Sequence, residues 1–450
     1  LEDRAKVNEI TANPFAVSFE PLSGPISGQI TVPGSKSITN RAVICAAMAK
    51  GKSTLTGVLD SEDTQVMVDA WKKLGLEIDW NKENATLAIS GCNGNPPQPT
   101  GELQIANSGT TIRFLTAALA ATQGVYTLDG VPRMRERPIG DLLDGLKKLG
   151  ANVASTNRVR SDCPPVKIIA NGLNGGVTEV AGDVSSQFLS GLMMAAPYAK
   201  SPVIIRVVGE LVSKPYVDMT AAVMRTFGVR IDGILDERGH EYRIHSPQVY
   251  LGCKYHIEPD ASAASYFLGA AAITKGTIRI NGLSFHALQG DVQFARVLEK
   301  MGCRVSSGDD FIDLVGRPLR GIDIDMNSIS DTVQTLAAVA LFASGPTRIR
   351  GVAHNRHKET DRIGDLACEL RRVGATVEEH EDGLTIHPAS LFGADLKTYR
   401  DHRMAMSLSL IGLKVPGIRI LDPRCTEKTY PHFFEDMGRI LNQQPKYAVH

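Results

Sequence analysis

SITNRAVICAAMA, residues 37–49, and DTVQTLAAVALFA, residues 331–343, decide the fold, because they are two copies of one segment. Each begins on small or polar residues and continues as an apolar run of helix length. The same pattern recurs as SGTTIRFLTAALA (108–120), SSQFLSGLMMAAP (185–197), ASAASYFLGAAAI (261–273) and DHRMAMSLSLIGL (401–413), with successive starts 70–77 residues apart. A helix that is apolar all round is a buried one. Outward from most copies come a Gly or Pro turn and an alternating apolar strand, as in GTIRINGL (276–283) and PTRIRGVA (346–353). An amphipathic helix follows and ends in KKLGLEI (72–78), KKLGANV (147–153), RTFGVRI (225–231), EKMGCRV (299–305) or RRVGATV (371–377), with a truncated copy at Met437 and Gly438. Gly75, Gly150, Gly228, Gly302 and Gly374 are thereby predicted as left-handed helix C-caps. Six units of buried helix, strand, surface helix and strand make an α/β protein. Single cores stop growing near ~250–300 residues, so a chain of 450 is expected to fold as two domains of three units each.

Bulk properties narrow the function. Lysine plus arginine equals aspartate plus glutamate at 49 each, with no block of like charge, so neither a nucleic-acid arm nor a membrane patch is indicated. The seven cysteines are scattered and never form C-x-x-C, which argues against a disulfide framework or a zinc site and for a reducing compartment. No apolar run approaches the ~20 residues of a membrane span. The polar start has no signal-peptide core and no methionine, so residues 1 to about 14 are expected to be a remnant of expression or of processing.

The helix starts carry the chemistry. A helix N-terminus offers unpaired N–H groups and partial positive charge, so it attracts anions and disfavours cations. Several buried helices nevertheless place cations there. Lys36, Ser37 and Arg41 open the first. Its Gly-Ser-Lys resembles a nucleotide-binding P-loop only superficially, since Ser35 separates glycine from lysine. Gly109, with Arg113 four residues on, allows backbone to approach a ligand at the second start. Ser185, Ser186 and Gln187 stand at the third, as caps or as ligand donors. Asp331 at the fifth is either an N-cap or a functional carboxylate. Asp401-His402-Arg403 begins the sixth. Lys358 and Arg362 are predicted to share a face at the opening of an amphipathic helix, and Arg137 and Lys428 lie in similar charged stretches. This cationic set in a chain of zero net charge predicts a cleft for small polyanions bearing more than one phosphate or carboxylate.

VPGSKSITNR, NSGTTIR, ERPIGDL, SSQFLSGL, SKPY, DASAASYFL, KETDR, DHRMAM and DPRCTEKTYP resemble, in order and spacing, the signature segments of the 5-enolpyruvylshikimate-3-phosphate synthase family, from about residue 18 to about 440. The resemblance implies the two-domain enolpyruvyl transferase fold, an inside-out α/β barrel. It places residues 1–34 plus 256–450 in one domain and 35–255 in the other, with the active site in the cleft between them. It implies transfer of the enolpyruvyl group of phosphoenolpyruvate to the 5-hydroxyl of shikimate 3-phosphate, by addition and elimination, without metal or organic cofactor. Asp331 is then the base for the hydroxyl, and Glu359 the proton donor to C3, with Lys36 sharing proton traffic. Shikimate 3-phosphate falls to Lys36, Ser37, Arg41, Ser185, Ser186, Gln187, Ser213, Tyr216, Asp331 and Lys358. Phosphoenolpyruvate falls to Lys36, Gly109, Arg137, Gln187, Arg362, Arg403 and Lys428. A monomer in the cytoplasm, engaging no nucleic acid and no membrane, is expected.

Two departures stand out. Thr111 and Phe114 replace the common Ala and Pro, which predicts weakened inhibition by glyphosate. His354-Asn355 replaces the common Asn-Trp, beside a substrate contact. The sister transferase acting on UDP-N-acetylglucosamine carries a cysteine in a loop where this chain has none, Cys163 lying outside the matching loop. A silent anion-binding scaffold would be expected to have lost Asp331, Glu359 or Lys428.

Overall fold

A computed structural model describes residues 14–236 and 239–449. The expected remnant therefore lies, up to residue 13, outside the described residues. Pro33–Pro259 forms one compact unit, and the described residues up to Val32 join those from Asp260 onward in the other. The changeovers fall at 32/33 and 259/260, against the expected 34/35 and 255/256.

Each unit is built around three buried helices. In the Pro33–Pro259 unit these are α1 (Lys36–Met48), α2 (Gly109–Ala120) and α3 (Ser186–Ala195). In the other they are α4 (Ala261–Thr274), α5 (Val333–Ala340) and α6 (His402–Ser409). Every residue of α2, α4, α5 and α6 is buried, as expected of runs with no polar face.

Among the described residues the strands form six four-stranded sheets of one topology. In the sheet around α2, Thr100–Gln104 runs parallel to Gln123–Asp129. That strand is antiparallel to Val166–Asn171, which is antiparallel to Asn152–Ser155. Three sheets are completed by strands distant in sequence. Lys254–His256, which precedes α4 in the chain, pairs with Lys50–Thr56 beside α1. Ser27–Ile30, which precedes α1, pairs with Thr277–Asn281 beside α4. The two leading strands are thus exchanged between units, and Pro14–Ser18 fills the sixth sheet between Arg419–Leu421 and Lys446–Val449.

Gly75, Gly150, Gly228, Gly302 and Gly374 adopt φ of 89°, 90°, 87°, 117° and 91°, so five surface helices end in the predicted left-handed residue. The sixth differs. Gly438 lies inside the helix Phe433–Leu441, and Asn442 takes the left-handed position at φ 52°. Asparagine tolerates that region better than other residues with a Cβ.

The predicted helical opening at Lys358–Arg362 is not helical. The chain bends at residues 358–360 and the helix begins at Gly364. Asp361 explains this, since its Oδ1 accepts from the N–H groups of Ile363 and Gly364 at 3.0 Å each and so fixes the helix start behind it. Asp331 likewise sits in a 3-10 turn, Asn327–Thr332, ahead of α5, whose N-cap residue is Thr332. No helix among the described residues is long and apolar enough to cross a membrane.

Candidate active site

In the Pro33–Pro259 unit, Ser35 caps α1 by accepting from the Ile38 N–H at 3.4 Å, which puts Lys36 at the first helical position. The Lys36 Nζ lies 3.6 Å from Asp63 Oδ2 in the first turn of the helix Glu62–Lys73. Arg41 is 2% exposed and, among the described residues, makes no ion pair. Its Nε donates to Thr220 Oγ1 at 2.7 Å, and its terminal nitrogens donate to the carbonyls of Ser37 at 2.9 Å and Tyr216 at 3.2 Å. Its guanidinium lies 5.0 Å from the Phe114 ring centroid, a cation–π contact. Burial lowers the Arg41 pKa to about 10, opposed by Tyr216, and the group stays charged at neutral pH.

The starts of α2 and α3 are tied together. Ser108 accepts from the Thr111 N–H at 3.3 Å and donates to the Thr111 hydroxyl at 2.7 Å. Arg137, 3% exposed, crosses that start so closely that a Cβ on Gly109 would lie 2.5 Å from its NH2. Its NH1 donates to the Asn107 carbonyl at 3.0 Å. Ser185 caps α3 by accepting from the Gln187 N–H. The Gln187 amide then donates to Thr110 Oγ1 at 3.2 Å and accepts from Arg113 at 2.5 Å. Ser186 is buried in the first turn of α3. Ser213, left-handed at φ 54°, precedes the helix that presents Tyr216 to Arg41.

The other unit holds a denser network, centred on Arg362, which is 2% exposed. Its Nε and NH2 donate to Asp401 at 2.7 and 3.2 Å, NH1 donates to Asp331 Oδ1 at 3.2 Å, and NH2 reaches Glu359 Oε2 at 2.9 Å. Arg403 NH2 donates to Asp331 Oδ2 at 2.7 Å, and Lys428 Nζ lies 3.1 Å from Glu359 Oε1. Asp401 also caps α6, accepting from the Arg403 N–H at 2.9 Å. Burial alone works against the Arg362 charge, but Asp401, Glu359 and Asp331 outweigh it and raise its pKa. Asn355 fastens the bend, donating to the Ser330 carbonyl at 2.9 Å, while its own carbonyl accepts from the Arg362 N–H at 3.3 Å.

The sequence reading named the members of this cluster but not their pairing. Arg362, Arg403 and Lys428 face Asp331, Glu359 and Asp401, three charges against three. Lys358 is half-buried in the bend beside Glu359. His354 is buried nearby, and burial, reinforced by Lys358 and opposed by Asp331, pushes its pKa down to about 3. Asp63 and Tyr266, whose hydroxyl accepts from Arg403 at 3.4 Å, were missed, and Asn355 was singled out only as a departure from the family pattern. Asp63 looks like any acid in a helix's first turn, and nothing local marks Tyr266. Among the described residues no three His, Cys, Asp or Glu side chains are grouped as metal ligands.

Known proteins share the fold that carries these residues. An EPSP synthase from Acinetobacter baumannii superposes with a TM-score of 0.79 at 25% identity, over 96% of this chain and 99% of that one. The enolpyruvyl transferase NikO from Streptomyces tendae shares the fold at a TM-score of 0.77 and 19% identity, over 98% and 100%. The architecture is therefore that of the enolpyruvyl transferases. The pattern of the EPSP synthase (3-phosphoshikimate 1-carboxyvinyltransferase) family matches residues 22–437. Relatives described as 3-phosphoshikimate 1-carboxyvinyltransferase include one from Shewanella sp. (strain W3-18-1), 47% identical over 92% of this chain and 97% of its own. Another, from Nostoc punctiforme, is 45% identical over 95% and 99%. The chain belongs to the EPSP synthase family and is an enzyme, a transferase of the shikimate pathway.

Proposed function

We propose that the two clusters serve one addition–elimination on phosphoenolpyruvate and shikimate 3-phosphate. The 5-hydroxyl oxygen bonds to C2 of phosphoenolpyruvate as Asp331 takes the hydroxyl proton and Glu359 gives a proton to C3. The resulting ketal phosphate then loses inorganic phosphate as C3 returns its proton, leaving the enolpyruvyl ether. Lys36 shares in the proton traffic. Phosphoenolpyruvate is held by Lys36, Gly109, Arg137, Gln187, Arg362, Arg403 and Lys428. Shikimate 3-phosphate is held by Lys36, Ser37, Arg41, Ser185, Ser186, Gln187, Ser213, Tyr216, Asp331 and Lys358.

The observation that carries this reading is the shared partner. Arg362 contacts both Asp331 and Glu359, so one guanidinium ties together the two carboxylates that the reaction needs. A bound phosphate or carboxylate competes for Arg362, Arg403 and Lys428, releasing Asp331 and Glu359 to handle protons while the cations neutralise the ligand. The enzyme is proposed to act as a monomer. The seven cysteines are all free, which supports the cytoplasm. The test is phosphate release from phosphoenolpyruvate with shikimate 3-phosphate or with UDP-N-acetylglucosamine as acceptor. Release with the first alone is expected. Release with the second alone, or with neither, overturns the reading.

A further inference from the structure

The turn leading into α6 is held against its own backbone preference. The Thr398 carbonyl accepts from the Asp401 N–H at 2.8 Å, and the two residues between them, Tyr399 and Arg400, have φ of 54° and 56°. Turns with two left-handed central residues are normally filled by Gly, Asn or Asp, because a Cβ crowds the backbone there. Tyrosine and arginine have neither glycine's freedom nor a short side chain that bonds the local backbone. Something outside the turn must hold it.

Glu369 is placed to do so. It is fully buried, its Oε1 accepts from the Tyr399 hydroxyl at 2.8 Å, and its Oε2 accepts from the Lys397 N–H at 3.0 Å and from Arg372 Nε at 3.1 Å. Burial and Glu369 both push the Tyr399 phenol up, so it remains a donor at any working pH. Glu369 stands on the helix Gly364–Arg372, which begins just after Arg362. Helix and turn are therefore fastened at two points, Arg362 to Asp401 and Glu369 to Tyr399.

We propose that the Glu369–Tyr399 hydrogen bond is a positioning clamp, which keeps the strained turn closed so that Asp401 and Arg403 meet Arg362 and Asp331 in register. Neither Glu369 nor Tyr399 is a catalytic residue; both act through Arg403 and Asp401. The kinetic consequence rests on the assignment of Arg362 and Arg403 to phosphoenolpyruvate made above.

Three variants test it: Tyr399→Phe, Arg400→Gly and the two combined. Tyr399→Phe is expected to raise KM for phosphoenolpyruvate about tenfold, with KM for shikimate 3-phosphate unchanged, because misplacing a binding group affects the ligand that it holds. Adding Arg400→Gly is expected to restore most of the loss, since glycine takes the left-handed conformation without a clamp. Parental kinetics in Tyr399→Phe, or an equal loss for both substrates that glycine leaves in place, overturns the proposal. Hydrogen exchange over residues 398–406 gives a readout without substrate: faster in Tyr399→Phe and recovered in the double variant. An inactive parent thus sinks the proposed reaction, whereas unchanged exchange sinks the clamp.

Discussion

Arg362 shows how much one side chain can organise. Taking a guanidinium from water is costly, and here three carboxylates offset that cost. The same three groups keep it from being a ready-made anion site, so ligand binding is an exchange of partners. Asp331→Ala and Glu359→Ala are expected to remain folded, since each leaves Arg362 with two other carboxylates, yet to lose orders of magnitude in kcat; full turnover in either would remove that residue from the mechanism. Gly109→Ala places a methyl against the Arg137 guanidinium and is expected to raise KM for phosphoenolpyruvate about tenfold while leaving the melting temperature nearly unchanged. Phe114 underlies Arg41, and the Thr111 hydroxyl donates at 3.5 Å toward the carbonyl of Asp63, the partner of Lys36, so one departure touches a substrate-binding residue and the other the partner of one. Reverting them together, Thr111→Ala with Phe114→Pro, is expected to tighten glyphosate inhibition, and an unchanged inhibition constant would refute this. His354 carries a pH dependence. Its folded pKa of about 3 lies below the unfolded value near 6.5, so its contribution is complete above that value and is lost as pH falls toward 3. On the order of a few kcal/mol is at stake by linkage. Urea denaturation at pH 7 and pH 5 is expected to show a smaller drop for His354→Asn than for the parent.

At the scale of elements, starts and stops set where chemistry sits. Asp361 delays its helix to Gly364, and that delay frees Glu359 and Arg362 to face each other across a bend instead of sharing a helical stripe. Asp361→Ala is expected to cost about 1–2 kcal/mol through the lost cap. The partly exposed pair with Arg356 at 2.8 Å adds little. Because the helix could then extend toward Lys358, activity is expected to fall by more than the stability loss explains, and a variant with parental kcat would show that the bend survives without its cap. The charged run KETDR is periodic enough to suggest a helix, and only the competition for Asp361's oxygen atoms decides otherwise.

For the whole molecule, the exchange of leading strands accounts for the discontinuous units. Ser27–Ile30 completes a sheet whose other strands come some 250 residues later, and Pro14–Ser18 sits inside the sixth sheet. Ala16 and Val17 are each 1% exposed, so this strand is core and not trim. Deleting residues 1–18 removes a central strand and leaves two unpaired edges, which is expected to lower the melting temperature by several degrees or to prevent folding of that unit. A truncated chain that melts with the parent would show the strand to be dispensable.

The sequence by itself determined the repeat, the six buried helices, the five glycine caps and the cations at the helix starts, because each is written in local periodicity or in a residue type that one conformation demands. Tertiary structure alone decided which carboxylate faces which cation, that Asp331 meets Arg403 of the following repeat, and that a buried glutamate holds the Tyr399 turn. Those contacts join residues tens of positions apart, whose meeting is fixed by how helices and sheets pack and leaves no mark in the spacing of either partner.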